Sequence, residues 1–152
     1  MAPATAYAPK QPYQVEVIVT PAELSETYLL ALAVYREARG EAFIGKVAVA
    51  DVIVERAWDS QDRWPDTIEG VILEPKQFSA FNHDDPNVFK YPERSTEDDR
   101  RTWDECVSAA TVALKSGARG WANHYHTKSI TPSWHDPDKV VGTIGSHVFL
   151  KL

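Results

Sequence analysis

The chain has 152 residues, the length of one ordinary domain. Its 43% hydrophobic content, with 5 Trp, 6 Tyr and 5 Phe, can fill a core and excludes both a disordered chain and a mini-protein that needs staples. The 16 basic residues against 22 acidic ones give a net charge of −6, which argues against a nucleic-acid partner and against electrostatic capture by an anionic membrane. Cys106 is the only cysteine, so an internal disulfide and a multi-cysteine metal site are excluded as well. No stretch before residue 20 has the apolar length of a secretory signal, and the longest apolar run, Tyr28 to Tyr35, is too short to cross a bilayer.

Residues 1–20, rich in Pro, Ala and Tyr, are expected to form a flexible arm, with enough alternation from Val15 to Val19 for a short strand. Thr20-Pro21-Ala22-Glu23 then reads as a helix start: a capping threonine, proline at the first helical position, and a glutamate completing a capping box. Leu24 to Ala38 follows as a helix that is apolar on nearly every side between Tyr28 and Tyr35, so it is expected to be buried centrally, with Gly40 as its stop. A second helix is expected from Ala42 or Phe43 to about Trp58, although its β-branched residues leave strand open for part of it.

Asp66 to Leu73 reads as a short capped helix ahead of Pro75, and His83 to Arg94 as a loop. Ser95 or Thr96 caps a third long helix that ends near Lys115, with Gly117 beyond it. Trp103, Cys106, Val107, Ala110 and Leu114 share one face of that helix, which makes Cys106 a core thiol. Trp121 to His126 and His147 to Leu152 alternate like strands, joined by a stretch containing Pro and Gly. The whole is an α+β domain over residues 21–152, mainly helical with a small antiparallel β element at one side.

Glu37 stands out because it follows Leu30 and Val34 at helical spacing on an apolar helix. Burial and the negative end of the helix both favour its protonated form, whereas Arg36 and Arg39 favour the charged one. A carboxyl group that keeps its proton near neutral pH is the donor that glycosidic cleavage requires. The plainer reading is an ion pair with a neighbouring arginine at a helix end. Glu41 is the obvious second carboxylate; Gly40 interrupts the helix between them, and a structural or hydrogen-bonding role suits Glu41 better than that of a base.

His124-Tyr125-His126 on a strand puts both histidines on one face and Tyr125 on the other, with His147 on the last strand able to pair across from them. Three converging histidines would suit zinc, although no Asp or Glu ligand pattern accompanies them; otherwise they hydrogen-bond structural groups beside a cleft. Gln77 and Ser79, after a proline turn, either reach a bound ligand or belong to an ordinary loop anchored by Phe78. Trp121 and Trp134 are candidate stacking platforms, and Trp134 is preferred because Pro132 and Asp136-Pro137 place it on a loop.

Several of these stretches form one pattern. Tyr35-Arg36-Glu37-Ala38-Arg39-Gly40-Glu41 with Gly45 to Ala50, then Trp64 to Ile68 with Gly70-Val71, resembles the SleB family of cell-wall hydrolases, which includes spore-cortex-lytic enzymes and phage lysins. Gln77-Phe78-Ser79, His124-Tyr125-His126, Pro132, Trp134, Ile144-Gly145, His147 and Phe149 continue the likeness in the family's order. The resemblance implies a lysozyme-like fold and cleavage of peptidoglycan glycan strands between N-acetylmuramic acid and N-acetylglucosamine, typically leaving a 1,6-anhydro end. It makes Glu37 the catalytic acid, places Tyr125 or His126 near the substrate, and puts the Gln77–Ser79 loop along the cleft. No metal or cofactor is implied, and a monomer is expected. Given the charge, such a chain would recognise sugar by shape, stacking and hydrogen bonds. With no signal and little room for a wall-binding module, it is expected to be made in the cytoplasm and to reach the wall by phage-type release, as an endolysin. Two readings stay open beside it: a zinc-dependent N-acetylmuramoyl-L-alanine amidase using the histidines, and a non-catalytic wall-binding or virion domain.

Overall fold

The computed structural model describes residues 21–74 and 91–152. The expected arm with its short strand, the Thr20 cap, Gln77, Phe78, Ser79 and most of the 83–94 loop lie outside the described residues. The element order is α1 (Pro21–Ala38), α2 (Phe43–Ala57), α3 (Ile68–Leu73), α4 (Glu97–Ser116), β1 (His124–Thr127), a 3-10 turn (Pro137–Lys139), β2 (Val140–Ile144) and β3 (His147–Leu150).

α1 is enclosed as its apolar run requires: Leu30, Ala31, Ala33 and Val34 have no exposed surface. α2 stays helical through Val47 to Val54 despite its β-branched residues, because packing buries that run on every side and overrides a weak local preference. α4 lies against both, presenting Trp103, Cys106, Ala109, Ala110 and Ala113, while Val107 and Leu114 sit at the margin of the core. Trp103 meets Tyr28 and Tyr35 edge-on, at 5.5 and 6.1 Å between ring centroids. Burial pushes the Cys106 thiol up to about 11, so it is an inert part of this core.

The caps follow local chemistry. The Asp99 N–H donates to Thr96 Oγ1 at 3.0 Å and the Thr96 N–H donates to Asp99 Oδ2 at 3.2 Å, a reciprocal box. Gly117 closes α4 at φ +65°. Thr67 caps α3 by accepting from the Gly70 N–H at 2.9 Å.

The sheet is antiparallel in the order β1-β3-β2. β2 corrects the expectation of a mere connection between two strands. Val140-Val141-Gly142-Thr143-Ile144 has strand-forming residues, but an irregularity between Val140 and Gly142 breaks the alternation that would have marked it. Gly145-Ser146 then makes the two-residue turn into β3, with Gly145 at φ +54°. Phe149 and Leu150 are fully buried, and Phe149 joins Ala38, Ala48, Val49, Val52 and Ala122 in a second core cluster. That cluster seats the sheet on α2 and on the C-terminal end of α1. Among the described residues no helix is long and apolar enough to cross a membrane.

Candidate active site

The site forms where α1 stops against the sheet. α1 ends at Ala38, and the Glu41 N–H donates back to the Ala38 carbonyl at 2.9 Å across the Arg39-Gly40 turn. Glu37 therefore occupies the last turn of the central helix, half-buried, at one side of an open cavity of about 490 Å³. Arg36, Arg39, Glu41, Thr127, Ser146 and His147 line the same cavity.

Tyr125 donates its hydroxyl to Glu37 Oε2 at 3.2 Å. It reaches the acid because β1 pairs Tyr125 with the buried Phe149, so both side chains fall on the sheet face that meets the helices. Burial, and then the negative charge of Glu37, push the Tyr125 phenol well above its ordinary range. The group therefore stays an O–H donor throughout the physiological range.

Glu41 is held differently. Its Oε1 accepts from the Ser146 N–H at 2.8 Å and its Oε2 from the Ser146 hydroxyl at 3.3 Å. His147 Nδ1 lies 3.0 Å from Oε1, a close contact that becomes an ion pair only when the imidazole is protonated. Burial pushes the Glu41 carboxyl up, but the Ser146 N–H, the His147 charge and the Ser146 hydroxyl together hold it below the usual value. Burial also lowers His147 against the pull of Glu41, so the imidazole is mainly neutral near pH 7 and the two Ser146 donors carry the interaction. Gly145 is required here twice over: its φ is positive, and a Cβ would stand 3.0 Å from Glu41 Oε1.

The opposite face of β1 carries a separate cluster. The His126 Nδ1–H donates to the Thr127 carbonyl at 2.7 Å, and its Nε2 faces His135 Nδ1 at 2.9 Å. Trp134 lies against His124 and His126, at 5.2 and 5.6 Å between centroids, and Trp64 lies against His124. Burial, with the charges of Arg56 and Arg63, brings His124 down to about 4. His147 pairs with Thr127 and so falls on Tyr125's face, away from the other two. The three-histidine convergence that zinc would need is thus not formed, because strand register separates the rings. Among the described residues no group of three His, Cys, Asp or Glu is placed to hold a metal.

Of the residues expected at the site, Glu37, Glu41 and Tyr125 come together, whereas His126 and Trp134 stand on the far face and do not line the cavity at Glu37. Trp121 packs on Phe149 at 5.1 Å, as a core residue would. Sequence reasoning missed Arg36, Arg39, Thr127 and Ser146 as cavity residues; it placed His147 beside a cleft, but together with the other two histidines rather than with Glu41. The signal for Ser146 was present in Gly145-Ser146 between two β-branched or apolar runs.

A carboxyl at the end of a buried central helix, facing an open cavity walled by a small antiparallel sheet, belongs to a lysozyme-like α+β domain. The family model described as Cell Wall Hydrolase matches residues 40–150, and the chain belongs to that family. Glu37 lies just ahead of the matched stretch, so membership does not rest on it. The chain is 32% identical over 133 residues to a spore cortex-lytic enzyme of Oceanobacillus iheyensis, covering 84% of this chain and 42% of that protein. Against the spore cortex-lytic enzyme of Bacillus subtilis it is 30% identical over 127 residues, covering 80% and 36%. The chain thus spans less than half the length of these curated relatives. Among solved structures, the catalytic domain of the Bacillus cereus SleB protein matches with a TM-score of 0.65 at 30% identity, covering 84% of this chain and 91% of that domain. The catalytic domain of the germination-specific lytic transglycosylase SleB from Bacillus anthracis matches with a TM-score of 0.66 at 27% identity, covering 88% and 100%. The SleB-type likeness of the motifs therefore extends to the whole catalytic fold.

Proposed function

We propose that this chain cleaves peptidoglycan glycan strands between N-acetylmuramic acid and N-acetylglucosamine as a lytic transglycosylase, with Glu37 as general acid and base. The observation that carries the reading is the Glu37 carboxyl at the end of α1, in the open cavity and hydrogen-bonded by Tyr125. Protonated Glu37 gives its proton to the bridging oxygen as the muramoyl C1 becomes oxocarbenium-like. The resulting carboxylate takes the proton of the muramoyl C6 hydroxyl, whose oxygen bonds to C1 and closes a 1,6-anhydro ring. One carboxyl thus serves both halves and no water is consumed, unlike the paired-carboxylate scheme of most glycosidases. A water that reaches C1 first would give the muramidase product from the same site.

Tyr125 fixes the orientation of the Glu37 carboxyl and, as a neutral donor, steadies the carboxylate formed between the two half-reactions. Glu41 is a positioning residue, since both its oxygens are engaged by the turn that walls the cavity. Trp134, with its partly exposed ring, and His126 would meet a glycan only where the strand runs past the edge of β1. The names of the relatives, spore cortex-lytic enzyme and lytic transglycosylase, support the same chemistry. Action as a monomer, and phage-type release to the wall as an endolysin, complete the proposal.

The test is mass spectrometry of the soluble fragments released from purified sacculi by wild type and by Glu37→Gln. Muropeptides lighter by one water than the hydrolysed form, absent with the variant, are expected. Free stem peptides, or equal release by both proteins, would overturn the reading.

A further inference from the structure

The cavity that holds Glu37 also holds Arg39, a cation that no carboxylate among the described residues answers. Arg39 follows α1 directly and lines the cavity, half-buried. Its Nη1 reaches the Tyr35 and Arg36 carbonyls at 3.4 Å each, the long limit of a hydrogen bond, and its guanidinium stands 5.6 Å from the Tyr35 ring centroid. Of the acids beside it, Glu41 gives both oxygens to Ser146, and Glu37 gives Oε2 to Tyr125. Among the described residues Arg39 has no ion-pair partner, whereas Arg63 and Arg119 each have one. A guanidinium offers five donors in a planar fork, and only one nitrogen is used here, weakly.

We propose that Arg39 is a substrate-binding residue that takes a carboxylate carried by the muramoyl side of the glycan; this rests on the function proposed above. The fork of arginine matches a carboxylate in bidentate geometry. Muramoyl units carry such groups and glucosaminyl units do not. The lactyl carboxylate is free where the stem peptide has been removed, and the stem peptide supplies its own carboxylates where it is present. Holding that anion beside Glu37 fixes which sugar lies on which side of the acid, and so sets the register of the strand for cleavage at the muramoyl C1.

A cation at a helix C-terminus also serves simply to meet the last carbonyls. Arg39→Lys separates the two roles, because lysine keeps the charge at the helix end and loses the fork. Three soluble glycans prepared from one wall serve as probes: with stem peptides, stripped to lactyl carboxylates, and stripped with the lactyl carboxyls converted to methyl amides. kcat and KM are measured on each for wild type, Arg39→Lys and Arg39→Gln, and melting temperatures are recorded. Dissociation constants for the same glycans are measured in Glu37→Gln with and without Arg39→Gln.

Loss of one charged hydrogen-bonding group is expected to weaken binding of a carboxylated glycan by about 10- to 100-fold in Arg39→Gln, mostly in KM. Arg39→Lys is expected to lose most of the same preference, with an unchanged melting temperature, and the neutral glycan is expected to respond to neither. The glycan with the larger loss identifies the lactyl or the stem carboxylate. Equal losses on all three glycans, or no loss on any, would overturn the assignment. Failure of wild type to release any glycan fragment would count against the proposed function instead, while the dissociation constants would still decide the role of Arg39.

Discussion

The two faces of strand β1 put four consecutive residues to different uses. Tyr125 and Thr127 look toward the end of α1: Tyr125 touches Glu37, and Thr127 lines the cavity beside it. His124 and His126 look the other way, into a cluster of aromatic rings in which His126 contacts His135 and both rest against Trp134. The histidines are the more conspicuous residues in the sequence, yet it is the tyrosine that meets the acid. The chemical role of a strand residue is thus set by the face it shares with its cross-strand partner, here the buried Phe149, more than by its own reactivity.

The sharpest way to break this comparison is at the acid. Glu37→Gln, nearly isosteric, is expected to lower glycan cleavage by at least about 10²- to 10⁴-fold with an unchanged circular dichroism spectrum. The next effect divides the two faces. Tyr125→Phe removes the donor to Glu37 and is expected to reduce kcat by about 10-fold or more, whereas His126→Ala is expected to change kcat by less than about 3-fold. A larger loss in the histidine variant would reverse the assignment of the faces.

Glu41→Gln is expected to retain more activity than Glu37→Gln and to cost about 1–2 kcal/mol of stability, read from denaturant midpoints. Glu41 has a lowered folded-state value, so its contribution is fully present above its unfolded value of 4.5 and is lost as pH falls through the lower folded one. The gap between wild type and Glu41→Gln should therefore close under acid. The smallest effect concerns the far face. His124 is held neutral down to about 4 against 6.5 unfolded, so the folded state loses stability as pH falls between those values. His124→Gln is expected to flatten that part of the melting-temperature profile and leave neutral-pH activity unchanged.

Much of this was legible because it is local. The Thr96–Asp99 box and Gly117 mark α4 within a few residues of each end, and the unbroken apolar run from Tyr28 to Tyr35 marks α1 as central. Glu37 stood out locally as the acid that ends that run, but its spacing alone favoured a helix-end ion pair, and only the motif that spans the chain singled it out. β2 was missed because its irregularity at Gly142 hides the two-residue period. Alternation also separated Tyr125 from His124 and His126, but which face meets α1 depends on Phe149 docking against Val49 and Val52, a pairing between distant parts of the chain. The same docking sets His147 beside Glu41 and leaves Trp134 outside the cavity.

The connector between α1 and α2, residues 39–42, is short, and Glu41 in it grips Ser146 across the molecule. It acts as a spacer of fixed length: one added residue would leave both helices able to form yet carry the grip out of reach of the turn. Loop grafts between homologues are therefore interchangeable only at equal length here, and a library that varies this segment should hold its residue count constant while varying composition.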